Sequence, residues 1–195
     1  EQIHSISREI NIMTQINYPS LLKFIGFSPT NFKGQPNPVI ISEYALNGSL
    51  DNIIKLERKG LSIQGWDDTQ KLICIFGIAS CMAFMHSKNI IHHDLRLGNI
   101  LLDEFLYPKV GDFRIKTLHE LTYSMTIQPN PDQNSTAFYI APEIINAHDL
   151  TEGTYSEKSD VYSFAYIVYE IITNEIPFKN LELSTIPQKV VQGDR

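Results

Sequence analysis

The residues best suited to chemistry sit in one short run, His92-His93-Asp94-Leu95-Arg96-Leu97-Gly98-Asn99, followed by Val110-Gly111-Asp112-Phe113 and then by Ala141-Pro142-Glu143. Each piece alone is a weak pattern. In this order they offer three oxygen-bearing side chains of the kind phosphoryl transfer needs. Asp94 can receive the proton of an attacking hydroxyl, and Asn99 and Asp112 can hold Mg²⁺ against nucleotide phosphates. A carboxylate suits the role of Asp94 because it accepts a hydrogen bond from the hydroxyl, and its main work is orientation.

These residues need a scaffold, and the pattern of apolar residues predicts one. Ile3, Ile6, Ile10, Met13 and Ile16 recur at spacings of three and four, so residues 3–16 read as a helix. Tyr18-Pro19 ends it, because the residue before proline is pushed out of the helical region. Leu21 to Phe27 and Val39 to Tyr44 read as strands, joined by a loop rich in Pro, Asn and Gly. A short helix is expected from Leu50 to Lys55 after the Asn47-Gly48 turn, and a longer one from about Asp67 to Ser87. In the longer helix Leu72, Phe76, Ala79 and Ala83 read as the apolar stripe. Ile90 to His92 and Ile100 to Leu102 read as short strands flanking the catalytic run. Residues 114–140 are polar and turn-rich, a long loop of the kind that carries function or disorder. Asp160 to Thr173 is apolar on nearly every face and reads as a helix buried all round, and residues 182–192 read as one more helix.

Composition narrows the class. The chain has 195 residues, 43% of them hydrophobic, enough for a core in one or two small domains. A net charge of -6 argues against a general nucleic-acid binder. The two cysteines, Cys74 and Cys81, fall on one predicted helix. A rise of about 1.5 Å per residue sets their Cα atoms roughly 10 Å apart, too far for a disulfide. They read as small buried residues in a reducing compartment. No secretory signal and no run of about 18 apolar residues is visible. The expected location is cytoplasmic. The chain starts without Met and reads as a fragment, so attachment to a membrane through other segments stays open.

The catalytic run, the Asp112-Phe113 motif and the Ala-Pro-Glu segment together resemble the eukaryotic protein kinases over nearly the whole chain. The resemblance implies an α+β, bilobal protein-kinase fold: a partial N-terminal lobe over residues 1–43, a hinge at 44–47 and a mostly helical C-terminal lobe over 48–195. It implies ATP and Mg²⁺ as cofactors, a protein substrate, and transfer of the γ-phosphate to Ser or Thr hydroxyls. Asp94, Arg96, Asn99 and Asp112 are then the catalytic residues, with Asn99 and Asp112 as the metal ligands. Arg96 stands where Ser/Thr kinases usually carry a Lys facing the transferred phosphate; it keeps the charge and adds a fork of donors. Val39-Ile40-Ile41-Ser42-Glu43-Tyr44-Ala45 resembles the adenine-binding strand and hinge. Glu43 and Ala45 would contact the adenine edge, Ser42 would be the gatekeeper and Leu101 would pack beneath the ring. Glu9 matches the Glu of the regulatory helix, which pairs with a Lys on strand three, and Phe113 would pack under that helix. Ser135 to Glu143 resembles the substrate-docking loop in its Ser/Thr form, with Thr136 and Tyr139 as its marks. Asp160 would hold the catalytic-loop backbone. The Gly-Ser-Leu turn after the hinge suggests the tyrosine-kinase-like group.

The chain also departs from the family pattern. It begins at the regulatory helix, so the Gly-rich loop and the strand-three Lys are absent. Arg114 stands where the Asp-Phe-Gly motif has Gly, which permits backbone angles that a side chain disfavours. His93 replaces the Arg that usually pairs with a phosphate on the activation loop, a role that neutral His fills poorly. Thr122, Tyr123, Ser124 and Thr126 nonetheless remain candidates for phosphorylation. In the family Glu143 pairs with an Arg beyond the central helices. A buried carboxylate without that partner would leave this piece poorly stable and weak in nucleotide binding.

Three alternatives stand beside the enzyme. The first is a pseudokinase scaffold, favoured by Arg114 and His93 and opposed by Asp94, Asn99 and Asp112. The second is a metal-hydrolase cluster of His92, His93, Asp94 and Asp112. Against it, adjacent residues on a strand point to opposite faces. The third is a small-molecule phosphotransferase, a class that shares His-x-Asp-x₄-Asn but lacks the Ala-Pro-Glu segment.

Overall fold

The computed structural model describes residue 10 and residues 13–111, 134–147 and 155–194, with the backbone alone for 134–136. The architecture is α+β. The elements in order are β1 (Phe24–Ser28), β2 (Val39–Ser42), α1 (Leu50–Arg58), α2 (Asp68–Ser87), β3 (Ile100–Leu102), β4 (Pro108–Val110), α3 (Pro142–Ile145), α4 (Glu157–Thr173) and α5 (Ile186–Gln192). Short 3₁₀ turns lie at Leu97–Asn99, Asn134–Tyr139 and Leu183–Thr185.

Both sheets are antiparallel pairs. β1 and β2 pair Phe24 with Ser42 and Ser28 with Val39, with an irregularity between Phe24 and Gly26. β3 and β4 pair Ile100 with Val110 and Leu102 with Pro108. The stretch before β1 ties the two sheets together. Leu22 donates to the Val110 carbonyl at 2.8 Å, and Val110 donates to the Ser20 carbonyl at 2.7 Å. The expected strands therefore start and stop a few residues off: pairing begins at Phe24 rather than Leu21 and ends at Ser42 rather than Tyr44.

Helix starts follow their caps. The Ser49 side chain accepts from Asn52 N–H before α1, and Asp67 accepts from Gln70 N–H at 2.8 Å before α2. α1 runs on to Arg58, one turn beyond the expected Lys55. At the front of α4, Ser159 Oγ accepts from Ser156 N–H at 3.2 Å. The predicted N-terminal helix lies largely outside the described residues; residues 10 and 13–15 are helical.

The core gathers around α2 and α4. Leu50, Ile54, Ile78, Met85, Ile100, Leu102, Ile167 and Ile171 are all fully buried in one cluster. Burial of such side chains is the main drive for folding, at about 1.5–3 kcal/mol each. The face that α2 turns inward is Cys74, Gly77, Ile78, Cys81, Met82 and Met85. This corrects the expected stripe: Leu72 is 65% and Phe76 74% exposed, and Ala83 is exposed too. α2 is apolar around most of its circumference, so its partners set the inward face. Gly77 is the tightest of these contacts, since a Cβ there would stand 2.5 Å from Pro108 Cγ.

α4 is likewise not buried on every side. Val161, Tyr169 and Ile172 are exposed, while Tyr166, Ile167, Glu170 and Ile171 face inward. Ile90 to His92 do not form a strand. The Ile90 N–H closes onto Met85 O at 3.0 Å and the His92 N–H onto Asp160, so neither joins a ladder. Glu143 is exposed in the first turn of α3, not buried as the expected instability required. By length and composition, α2 could cross a membrane although no such run was read from the sequence; its inward face belongs to the core cluster.

Candidate active site

The run from His92 to Asn99 is largely irregular backbone held from beneath by one carboxylate. Asp160, buried in the first turn of α4, accepts the His92 N–H through Oδ2 at 2.8 Å and the His93 N–H through Oδ1 at 3.1 Å. His86, near the end of α2, meets Oδ2 through Nε2 at 2.9 Å. Leu95 and Leu97 are buried in the core and pin the loop at two further points. His93 adopts a left-handed φ of 69°, a strained angle for a side chain with a Cβ that the paired amides hold in place. Asp160 thus holds the backbone as the resemblance implied.

The His92 ring sits at 0% exposure and its pairing fixes its tautomer. Nδ1 accepts the Asp94 N–H at 3.3 Å, so the ring proton lies on Nε2, which donates to Gly111 O at 3.1 Å. A ring so engaged has no lone pair left for a metal. Among the described residues no three His, Cys, Asp or Glu side chains gather as a metal-binding group. The hydrolase alternative loses His92 as a ligand.

Asp94, Arg96 and Asn99 converge. Asn99 Nδ2 donates to the Asp94 carbonyl at 2.7 Å and to Asp94 Oδ2 at 3.1 Å. Arg96 Nε stands 3.5 Å from Asp94 Oδ1. The Asp94 side chain keeps 24% of its surface open, so the carboxylate is oriented yet reachable. Gly98 leaves room for the guanidinium, because a Cβ there would meet Arg96 Nη1 at 3.3 Å. The Asn99 carbonyl accepts the Gly111 N–H at 2.9 Å. Both backbone polar groups of Gly111 are therefore bonded, the N–H to Asn99 and the carbonyl to His92. Asp112, the next residue, lies outside the described residues, as do Phe113, Arg114, Glu9 and the candidate phosphorylation sites at 122–126.

Glu43, Ala45 and Leu101 are the residues expected at the adenine. The Glu43 N–H donates to Lys23 O at 2.9 Å, and its side chain accepts the Lys23 N–H at 2.9 Å, with Lys109 Nζ 3.7 Å away. Among the described residues no protein group pairs with the Glu43 carbonyl or the Ala45 N–H. Ser49 bridges Leu101, and Leu102 donates to Gly48 O at 2.8 Å, so the 45–49 turn is fastened to β3 just beyond Asn99.

Two features gave no signal in the sequence. Tyr155 stacks on His93 with ring centroids 4.8 Å apart and planes 1° from parallel. Burial raises its phenol pKa from the ordinary value, and the Asp94 charge adds to the rise. Glu170, buried on α4, accepts the Tyr139 hydroxyl through Oε1 and pairs with Arg58 through Oε2 at 2.6 Å. Burial raises the Glu170 carboxyl, against the pull of Tyr139 and Arg58. Tyr139 is raised well above the phenol range, chiefly by burial and then by the Glu170 charge.

A profile of the protein tyrosine and serine/threonine kinase family matches residues 1–195. The chain belongs to that family. It is 31% identical to "Probable serine/threonine-protein kinase drkD" of Dictyostelium discoideum over 195 residues, 99% of this chain and 14% of that protein. It is 31% identical to serine/threonine-protein kinase CTR1 of Arabidopsis thaliana, over 93% of this chain and 20% of that protein. Serine/threonine-protein kinase STY17 of the same plant is 28% identical, over 93% of this chain and 28% of its own length. The chain thus spans well under a third of each of these curated relatives.

Proposed function

We propose that this chain carries the catalytic centre of a protein kinase that moves the γ-phosphate of ATP onto Ser or Thr hydroxyls of a protein substrate with Mg²⁺. The observation that carries this reading is the Asp94–Asn99 pair, a partly open carboxylate held in place by the amide of its neighbour. Asp94 is oriented to accept the hydroxyl proton of the substrate, and Arg96 places positive charge beside it.

The donor set fits the expected groups. Asn99 spends its amide N–H on Asp94, and among the described residues no protein donor reaches its Oδ1, which is the hard oxygen that Mg²⁺ prefers. Asn99 and, by the family pattern, Asp112 would hold the metal. Bound Mg²⁺ supplies charge neutralisation at the phosphates. The Glu43 carbonyl and Ala45 N–H, free of protein partners among the described residues, would take the adenine edge, with Leu101 beneath the ring. Glu9 enters only through the family pattern. In this reading residues 1–43 and 48–195 are the two lobes and 44–47 the hinge between them. The free, buried thiols of Cys74 and Cys81 accord with a reducing, cytoplasmic setting.

The test is incorporation of phosphate into Ser and Thr by the full-length protein and by its Asp94→Asn variant. The variant should lose on the order of 10²–10⁴-fold in rate. Equal incorporation by the two proteins would remove Asp94 from the mechanism, and this reading with it.

A further inference from the structure

His93 stands where the family pattern has Arg, and the proposed chemistry makes no use of its ring. That ring lies flat against Tyr155, with centroids 4.8 Å apart and planes 1° from parallel, the offset stacking that ring pairs prefer. Both residues are half-buried. The contact joins the run from His92 to Asn99 to the front of α4.

The local sequence explains why the two rings meet. Ser156 caps α4 in a box closed by Ser159, so Tyr155 is the residue just before the cap. A residue there commonly packs on the fourth residue of its helix. In α4 that residue is Asp160, whose carboxylate is taken up by the His92 and His93 amides and by His86. Tyr155 packs instead on the residue whose amide Asp160 holds. α4 therefore grips His93 at two points, its N–H through Asp160 Oδ1 at 3.1 Å and its ring through Tyr155.

Two holds suit the backbone at this position. The φ of 69° lies in the left-handed region, which costs energy for a side chain with a Cβ. Asp94 comes next. Asn99 sets its carboxylate, and its N–H makes only a long bond to His92 Nδ1, at 3.3 Å. The turn at His93 thus fixes the direction in which the Asp94 side chain leaves the chain. Tyr155 also lies close enough for the Asp94 charge to act on its phenol.

We propose that the Tyr155–His93 stack positions Asp94 for phosphoryl transfer by holding the left-handed turn that precedes it. This rests on the kinase reading above. Tyr155 and His93 touch no reacting atom. They are positioning residues that act through Asp94, in turnover rather than in the binding of either substrate.

The experiment uses the full-length protein, with ATP and a Ser/Thr protein substrate varied separately. It compares Tyr155→Leu, Tyr155→Phe, His93→Leu and the double Leu variant, all below their melting temperatures. A stacked ring pair is worth a factor of about 3–10, so Tyr155→Leu and His93→Leu should each lower kcat by about that much. Both KM values should move less than about twofold, since the lost contact concerns orientation in the transition state. Tyr155→Phe keeps the ring and should restore kcat to at least about half of wild type. The double variant should be no worse than the poorer single one, because both remove the same contact. An unchanged kcat in Tyr155→Leu would overturn the proposal. So would a loss in Tyr155→Phe equal to that in Tyr155→Leu, losses that multiply in the double variant, or KM values that rise while kcat holds.

Hydrogen exchange measures the hold without any transfer. The amides of residues 93 and 94 should exchange faster in Tyr155→Leu and return to the wild-type rate in Tyr155→Phe. Unchanged exchange in Tyr155→Leu, or a rise spread evenly through α2 and α4, overturns the proposal. If the wild-type protein transfers no phosphate, the kinase reading fails, and exchange alone then decides whether the stack holds this turn.

Discussion

The amide of Asn99 is hydrogen-bonded to both the main-chain carbonyl and the carboxylate of Asp94, at 2.7 Å and 3.1 Å. One side chain therefore fixes both the backbone and the rotamer of the residue five positions before it. Asn99→Ala removes both bonds and should lower turnover by on the order of 10–10³-fold, with a lower folding temperature as well, because the Asp94 carbonyl loses its donor. Steady-state rates and thermal melts of the same preparation check this. Asn99→Asp should be as damaging for a different reason, since it sets two carboxylates side by side.

Asp160 gives a stability prediction. It is the acceptor for two backbone amides and a histidine ring. Asp160→Ala orphans those donors in a buried place, and each orphan costs about 1–3 kcal/mol. The loss should exceed that of Asp160→Asn, which keeps one acceptor oxygen. Urea midpoints of the two variants would reverse this order if Asp160 were only a helix-end charge.

Gly77 and Gly26 form a contrasting pair. Adding a methyl group at Gly77 brings it 2.5 Å from the Pro108 ring, which has no free rotor to move aside. Gly77→Ala should destabilise by about 1–3 kcal/mol, despite the better helix propensity of Ala. Gly26 has no atom within 4 Å of such a methyl, so Gly26→Ala should stay within about 0.5 kcal/mol of wild type. Denaturant titration of both variants provides the comparison.

The two cysteines set an alkaline limit. Burial raises the Cys74 and Cys81 thiols from 9.0 to about 12. Above pH 9 the unfolded chain sheds these protons while the folded chain keeps them, so the folded state binds more protons and stability falls as pH rises towards 12. Each thiol contributes up to about 1.4 kcal/mol per pH unit to that fall. In Cys74→Ala the slope should flatten even though the variant starts from a less stable state. Near neutral pH, a thiol-specific dye should react only after denaturant is added.

The residues proposed to carry the chemistry were clearer in the sequence than those that hold them. Asp94, Arg96 and Asn99 were legible because their types and spacing are short-range facts, and the structure brings them together. α1, α2 and α4 were legible as helices, but the inward faces of α2 and α4 were not. Leu72 and Phe76 fit a helical stripe as well as Cys74 and Ile78 do, and the partners that decide between them come from elsewhere in the chain. Ile90 to His92 looked like a strand because two β-branched residues lead it, yet the Ile90 and His92 amides are claimed by Met85 and Asp160. The Tyr155–His93 stack and the Arg58–Glu170 pair join residues far apart in the chain, and no local periodicity announces such meetings.

The clasp around β4 carries one last consequence. Val110 is bonded on both its N–H and its carbonyl to the 20–22 stretch, and Gly111 is bonded on both its groups to Asn99 and His92. A side chain at Gly111 would also strike Leu22 at 2.9 Å. Two consecutive residues are thus bonded at every backbone polar atom. Natural variation in length can accumulate on either side of this dipeptide but not within it. An inserted residue would put the chain out of phase with one set of partners or the other.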